Sequence, residues 1–454
     1  MESGVILHLR QKNSATDYFY ATRHCYSTSL TLADSTGSAD NLTIDAVEVT
    51  TATITTSGVE TLTVATSTTD TAIDNSTLTI SGTNVASVVA TGANADTGHQ
   101  LGLGTLDTET TSVDASAYQG QLTVAAAAAT ATTFTTHGTT VDSLTGSSSN
   151  DTFTISSTAN VNHTVNGNGG TDTLNITYAN GAQNQNAITD VDTINMTIAD
   201  SAAVTFDAAG TDADGINEAT RVNILGGNSL SSVTVGGANV AASNDTLVSG
   251  TINTVIDASG FNGQFVGNFT ADQGDNDVAG VTTQVIGGPL ATDTVRVSYT
   301  GAGNPNFQIN TQAVERLDIT MDNTGTQFVA DMSLATGVTS VTTTDNSSES
   351  IRFNSVAEGI TFTANSTNAT ASTIQVVRAS STGNADSQTF ILGADDANDN
   401  VAITMADIET TNISGSTAAG YNNRVDVELA NVSMTASGAT NTVNFTGTVP
   451  FNIT

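Results

Sequence analysis

The chain reads as an all-β protein, a repetitive β-solenoid or β-sandwich array with Gly/Asn/Asp-rich turns. Three observations point there. Polar and apolar residues alternate strictly in runs such as Ser76-Thr77-Leu78-Thr79-Ile80, Asp172-Thr173-Leu174-Asn175-Ile176-Thr177-Tyr178 and Asp293-Thr294-Val295-Arg296-Val297-Ser298-Tyr299. Successive side chains of a strand face opposite ways, so each run sends its apolar residues to one face and its hydroxyls to the other. Thr, whose β-branching favours strands, is the most abundant residue. A phrase also returns along the chain: Gly58-Val59-Glu60-Thr61-Leu62, Val191-Asp192-Thr193-Ile194, Val314-Glu315-Arg316-Leu317 and Ile408-Glu409-Thr410-Thr411. Its intervals are domain-sized or span several rungs, and a repeating chain is usually a built surface rather than one pocket.

Taken in order, residues 1–35 stand apart. They hold the only Lys (Lys12), the only Cys (Cys25), three tyrosines and two of the five histidines. Without a basic start followed by a long apolar stretch, this segment reads as an atypical leader or the mark of a fragment. Residues 36–185 form a first β-repeat unit closing on a Gly-rich acidic loop, 186–305 a second and 306–405 a third. Residues 406–454 form a partial unit that stops in a strand-like run, Val449-Pro450-Phe451-Asn452-Ile453-Thr454, as a truncated unit would. Within the first two units Val113-Asp114-Ala115-Ser116-Ala117-Tyr118-Gln119-Gly120-Gln121-Leu122 is echoed by Ile256-Asp257-Ala258-Ser259-Gly260-Phe261-Asn262-Gly263-Gln264-Phe265. Stacked sandwiches and one continuous solenoid use the same short strands and turns, so both stay open at this level.

Composition sets limits. Aromatics make up 5% and Trp is absent, so disorder competes with an ordered β fold, and the strict alternation argues against it. Nine Lys plus Arg face 44 Asp plus Glu, a net charge of −35. Phosphate binding needs clustered cations, so no nucleic-acid partner is expected. A single Lys placed away from any Gly-rich loop leaves no P-loop. One Cys permits neither an intramolecular disulfide nor a Cys-based metal site. No apolar run reaches membrane-spanning length. Asn-x-Ser/Thr sequons, as at Asn41, Asn75, Asn175 and Asn365, follow from the Asn, Ser and Thr content.

So anionic a chain repels itself unless cations neutralise it, and carboxylates with backbone carbonyls are the ligands Ca²⁺ prefers. The strongest motif is Gly167-Asn168-Gly169-Gly170-Thr171-Asp172-Thr173-Leu174, which follows the calcium nonapeptide Gly-Gly-x-Gly-x-Asp-x-apolar-x with Asn168 in place of the second Gly. Its glycines permit a tight turn with carbonyls facing an ion, Asp172 closes the site and Leu174 packs inward. A looser partner, Gly146 to Phe153 with Asn150 and Asp151, lies upstream. Gly287 to Val295 with Asp293 holds the comparable place further on. Three acidic loops add candidates: Asp272, Asp275 and Asp277; Asp395, Asp396 and Asp399; and Asp212 with Asp214. All of these also read as plain Gly/Asn/Asp turns.

Catalytic constellations are thin, and no enzyme is expected. There is no His-Glu-x-x-His and no Gly-x-Ser-x-Gly. The recurring Glu60, Asp192, Glu315 and Glu409 read as structural groups that cap a turn or hold ions at equivalent places, because catalytic groups need not recur with a fold repeat. A solenoid polysaccharide lyase or hydrolase would pair carboxylates in a cleft lined by aromatics, which are scarce here. An adhesin or phage fibre would share the β repeats but add a tip domain.

The residues Gly58-Val59-Glu60-Thr61-Leu62, Asp114-Ala115-Ser116, and Leu144-Thr145-Gly146 leading through Asn150-Asp151-Thr152 to Gly169-Gly170-Thr171-Asp172-Thr173-Leu174 resemble bacterial surface-layer (S-layer) proteins of the type secreted by Caulobacter, related to calcium-binding RTX proteins. The resemblance covers about residues 40–180 and returns weakly across 190–300 and 310–415. It implies a secreted, extracellular protein that assembles with its own copies into a lattice or homo-oligomer through Ca²⁺. It implies one-step (type I) export, with cell-surface polysaccharide as a further candidate partner. Carried over by residue, the calcium role falls first on Gly167, Gly170 and Asp172, then on Asn150 and Asp151. The chain departs from that family in lacking a tandem nonapeptide block.

Overall fold

The computed structural model describes residues 8–10, 17–22, 28–31, 40–47, 51–66, 75–92, 100–137, 140–156, 163–178, 181–182, 187–206, 219–235, 255–271, 284–299, 306–321, 327–345, 350–366, 372–379, 386–394, 401–406, 408–417, 434–435 and 442–447. Every element among them is a strand. No helix is long and apolar enough to cross a membrane. Neighbouring strands pair in parallel throughout, except that His8–Arg10 runs antiparallel to Asp17–Thr22. The chain coils as a β-solenoid, which settles the choice between solenoid and stacked sandwiches. It divides into two compact units, residues 1–204 with 212–225, and residues 205–211 with 226–454.

In the first unit each turn of the coil lays one strand on each of two parallel sheets. The first sheet includes Thr61–Ala65, Ser87–Gly92, Ser112–Tyr118, Thr133–Thr136, Thr152–Ile155, Thr173–Tyr178 and Thr193–Ile198; the second includes Gln100–Thr105, Gln121–Ala125, Ser143–Thr145 and Thr164–Asn166. Parallel sheets covered on both faces read as continuous apolar runs. These alternate instead, because only the inner face is covered. Register makes the core a column: Leu42, Leu62, Val88, Val113, Phe134, Phe153, Leu174 and Ile194 are successive Cα partners, each no more than 1% exposed. Phe134 and Phe153 stack with centroids 5.1 Å apart and planes 3° from parallel. On the outer face an amide ladder runs along the sheet: Asn175 Nδ2 donates to Thr154 Oγ1, Asn195 Nδ2 to Asn175 Oδ1 at 2.8 Å, and Asn223 Nδ2 to Asn195 Oδ1 at 2.6 Å.

The second unit repeats this plan. One of its sheets stacks Val295, Leu317, Val341, Phe362, Phe390 and Ile413 in register. Phe362 lies 5.8 Å from Phe390 along the column and 4.9 Å from Phe353, which comes from the strand Ser350–Val356 of the facing sheet. Two sheets are thus joined by aromatic contact rather than by aliphatic packing alone.

The recurring phrase is a corner of the coil. In Gly58-Val59-Glu60, Asp190-Val191-Asp192 and Ala313-Val314-Glu315 the first residue turns the chain with φ of 71°, 52° and 52°. The valine that follows is buried at 1%, 2% and 0% exposure, and the acid then opens a strand. A left-handed turn costs a non-glycine residue roughly 1–2 kcal/mol, so Asp190 and Ala313 bear a strain that Gly58 escapes. Rung length varies: partners one turn apart are separated by 19 residues at Thr132 and Asp151 but by 28 at Phe265 and Asp293. That drift hides the rung from any search for a fixed period.

Because Phe362 contacts aromatic rings in both sheets, Phe362→Ala should lower the unfolding free energy by about 3–5 kcal/mol. Chemical denaturation followed by circular dichroism checks this. A loss under about 1 kcal/mol would mean that the column is not packed as described.

Candidate metal centre

At four corners the residue before a strand is an aspartate whose own N–H is not taken by a backbone carbonyl. A carboxylate from the next rung accepts it. Asp40 N donates to Glu60 Oε2 at 2.7 Å, Asp172 N to Asp192 Oδ2 at 2.8 Å, Asp293 N to Glu315 Oε2 at 3.2 Å and Asp386 N to Glu409 Oε2 at 3.0 Å. The carbonyls of the same residues meanwhile take ordinary backbone bonds, as from Thr61 N to Asp40 O and Thr193 N to Asp172 O. The four recurring acids are therefore acceptors that clip one rung to the next.

The calcium-like turns belong to this ladder. Asp151 Oδ1 accepts Thr132 N–H at 2.6 Å, Asp172 Oδ1 accepts Asp151 N–H at 2.7 Å, and Asp192 continues the series. The turn Gly146–Asp151 and the turn Gly167–Asp172 are stacked one rung apart, with Asn150 Oδ1 accepting Thr171 N–H at 2.9 Å. The sequence motif and its looser upstream partner are thus adjacent in space. Leu174 packs inward at 0% exposure.

The glycines leave room for the carboxylates and for backbone carbonyls of the next rung. A Cβ on Gly146 would come within 2.6 Å of Asp151 Oδ2, one on Gly167 within 2.3 Å of Asp172 Oδ2, and one on Gly287 within 2.9 Å of Asp293 Oδ2. Gly170, at φ 112°, would strike the Ser149 carbonyl at 2.6 Å, and Asn168 itself is left-handed at φ 67°. Asp151, Asp172 and Asp293 are all buried, at 1%, 0% and 0% exposure.

The three carboxylates differ in their second oxygen. Asp151 Oδ2 accepts Ser147 N–H and Asp293 Oδ2 accepts Gly288 N–H, each at 2.6 Å. In the turn of Asp172 the corresponding amide, Asn168 N–H, goes to Asn166 Oδ1 at 2.9 Å, and Asp172 Oδ2 is buried with no hydrogen-bond partner. The same Gly167 position that would strike Asp172 Oδ2 would also meet the Asp190 carbonyl at 1.9 Å, so two acceptors converge on one glycine. Burial pushes the Asp172 carboxyl up to about 6, helped by the charges of Asp151, Asp192 and Asp190 and opposed by the Asp151 N–H. Burial also raises Asp293 against the N–H groups of Phe265 and Gly288, and raises Glu315 beside Asp293.

These atoms fit a cation only in part. Asp172 Oδ2 and the Asp190 carbonyl are hard oxygen donors, short of the six to eight that Ca²⁺ takes. Asp151 and Asp293 have both oxygens committed to N–H groups. No three His, Cys, Asp or Glu side chains form a metal-holding group among the described residues. Asp272, Asp275, Asp277, Asp395, Asp396, Asp399 and the Asp212–Asp214 loop lie outside the described residues.

Sequence reasoning missed a second clip. Asp142 Oδ1 accepts Leu122 N–H at 2.9 Å, as Asp293 Oδ1 accepts Phe265 N–H at 3.0 Å. The paired phrases ending in Gln121-Leu122 and Gln264-Phe265 carried that signal. Asp142 N–H in turn donates to His163 Nδ1 at 3.2 Å, so an imidazole takes the place a carboxylate fills elsewhere. Both side chains are 2% exposed. Burial, with the charge of Asp142, raises the Tyr118 hydroxyl above its usual range.

A carboxyl raised on folding binds its proton more tightly in the native state, so it stabilises below its unfolded value and that contribution is lost as pH rises through its folded value. For Asp172 the window runs from 3.8 to about 6. Asp172→Asn keeps an acceptor for Asp151 N–H and adds a donor toward the Asp190 carbonyl. Thermal unfolding should therefore show a fall in stability across that window in the parent chain that is smaller in the variant. Equal slopes would contradict the burial of an ionisable Asp172.

No family model, no curated protein and no solved structure matches this chain.

Proposed function

We propose that the chain is a structural cell-surface protein, S-layer-like, secreted and self-assembling through calcium-dependent contacts with copies of itself. One observation carries the reading: the conspicuous carboxylates of the described residues are spent on clipping rung to rung. Chemistry at a pocket needs groups held free and convergent. A building element needs a stiff repeat, and the apolar column, the amide ladder and the carboxylate clips all supply that.

The charge supports the calcium part. Copies bearing −35 repel one another, and divalent cations bridging acidic turns would turn that repulsion into cohesion. Asp172 Oδ2 is buried with no hydrogen-bond donor, and the Asp190 carbonyl approaches the same glycine. The acidic stretches of sequence at Asp272–Asp277 and Asp395–Asp399 add carboxylates at close spacing along the chain. Export by a one-step route and contact with cell-surface polysaccharide belong to the same proposal.

Light scattering of the purified chain in EDTA, then with millimolar Ca²⁺, tests it. Growth of particles on adding Ca²⁺, reversed by EDTA and absent with Mg²⁺, is the expected result. A monodisperse chain under all three conditions would defeat the reading.

A further inference from the structure

The sequence contains four Asn-Gly pairs, at Asn166, Asn168, Asn180 and Asn262. Two of them follow one another in the turn that holds Asp172, as Asn166-Gly167-Asn168-Gly169, and Asn180 lies outside the described residues. Asparagine is one of the chemically labile residues of proteins, because its amide carbon can be attacked by the backbone nitrogen of the residue that follows. A following glycine, with no Cβ, leaves that nitrogen uncrowded. Whether the attack occurs depends on whether the fold holds the nitrogen and the amide in place.

The fold treats the three described pairs differently. Asn166 ends the strand Thr164–Asn166, and its Oδ1 accepts Asn168 N–H at 2.9 Å. Gly167 N–H donates to Thr189 O at 2.9 Å, and Gly167 is buried. Both reacting groups of that pair are therefore engaged. Asn262 sits at the corner between Val255–Phe261 and Gln264–Ala271, with its own N–H on Gly226 O at 3.1 Å. Gly263 after it is buried, and a Cβ there would strike the Ser231 carbonyl and the Phe261 ring. Asn168 is exposed, and neither its side-chain amide nor the Gly169 N–H has a hydrogen-bond partner among the described residues. The turn is open there: a Cβ on Gly169 would meet no atom within 4 Å. Asn168 and Gly169 stand at φ 67° and 119°, so neither belongs to the extended ladder.

We propose that Asn168 is a site of spontaneous deamidation through a succinimide formed with Gly169. Hydroxide takes the Gly169 N–H proton, and the nitrogen attacks Asn168 Cγ to close a five-membered ring. The Cγ–Nδ2 bond breaks, Nδ2 takes a proton from water, and ammonia leaves. Water then opens the ring. Opening at Cγ gives aspartate, and opening at the main-chain carbonyl gives isoaspartate, whose backbone runs through the side-chain carbon. In sum the chain loses one NH₃ and takes up one H₂O, with no oxidant or reductant. Either product places a new carboxylate on the open side of the turn that holds Asp172, a covalent change of charge. Neither reverts to asparagine, so the converted fraction grows with the age of the folded chain. The reaction needs no metal and no partner copy, and it stands apart from the assembly proposed above.

Peptide mass mapping of the folded full-length chain, held in mildly alkaline buffer and sampled over time, tests this. Asn168 should exchange one NH₃ for one H₂O about tenfold faster than Asn166, the order of ratio that breaking one hydrogen bond adds to a barrier. Asn262 should lag as well. The isoaspartate product should accept a labelled methyl group from an isoaspartyl methyltransferase, and Asn168→Gly, which suits the left-handed φ, should remove most of that acceptance. In urea the pairs should convert at similar rates, so that the preference for Asn168 reads the fold. Conversion of Asn166 as fast as Asn168 in the folded chain would overturn the proposal. So would an unchanged Asn168 in the folded chain after the urea-unfolded sample has converted.

Discussion

The architecture depends on a single requirement: a backbone N–H buried at a corner of the coil must find an acceptor. Within a strand the next rung supplies one automatically, through the parallel ladder. Where the chain bends out of the sheet that supply stops, and a buried N–H left alone costs about 1–3 kcal/mol. This protein answers with a carboxylate sent from the following rung. Asp151 receives Thr132, Asp172 receives Asp151 and Asp192 receives Asp172, so each acid is both the clip of one rung and the load of the next.

That solution has an electrostatic cost. Carboxylates stacked one rung apart repel in a medium that screens poorly, and with nine cationic side chains in the sequence few counter-ions come from the protein itself. At Asp172, burial and the charges of neighbouring acids prevail over the Asp151 N–H and the carboxyl moves up to about 6. In one clip His163 Nδ1 takes the place of the carboxylate as acceptor.

Much of this was legible in the residues. The alternation of Asp172 to Tyr178 gave the strand, its face and the burial of Leu174, because period-two patterning follows directly from strand geometry. The phrase was visible as a repeat, and its acids could be read as structural groups that cap a turn or hold ions. Rung length was not legible, since turns between strands vary freely while the register of the column stays fixed. The role of Asp142 was signalled only by the paired phrases around Leu122 and Phe265, because its partner lies one rung away and no short motif spans that distance. Asn166-Gly167 and Asn168-Gly169 look equivalent as residues, and only the fold shows that the first glycine amide is taken by Thr189 O.

The central claim, that side-chain carboxylates hold the corner amides, is tested most directly by hydrogen–deuterium exchange at the amides of Thr132, Asp151 and Asp172. The account predicts that these turn amides exchange as slowly as those within the strand Thr152–Ile155, and that Asp151→Ala releases Thr132 while leaving the Asp172 amide slow. Exchange of all three at the rate of an exposed turn in the parent chain would contradict it.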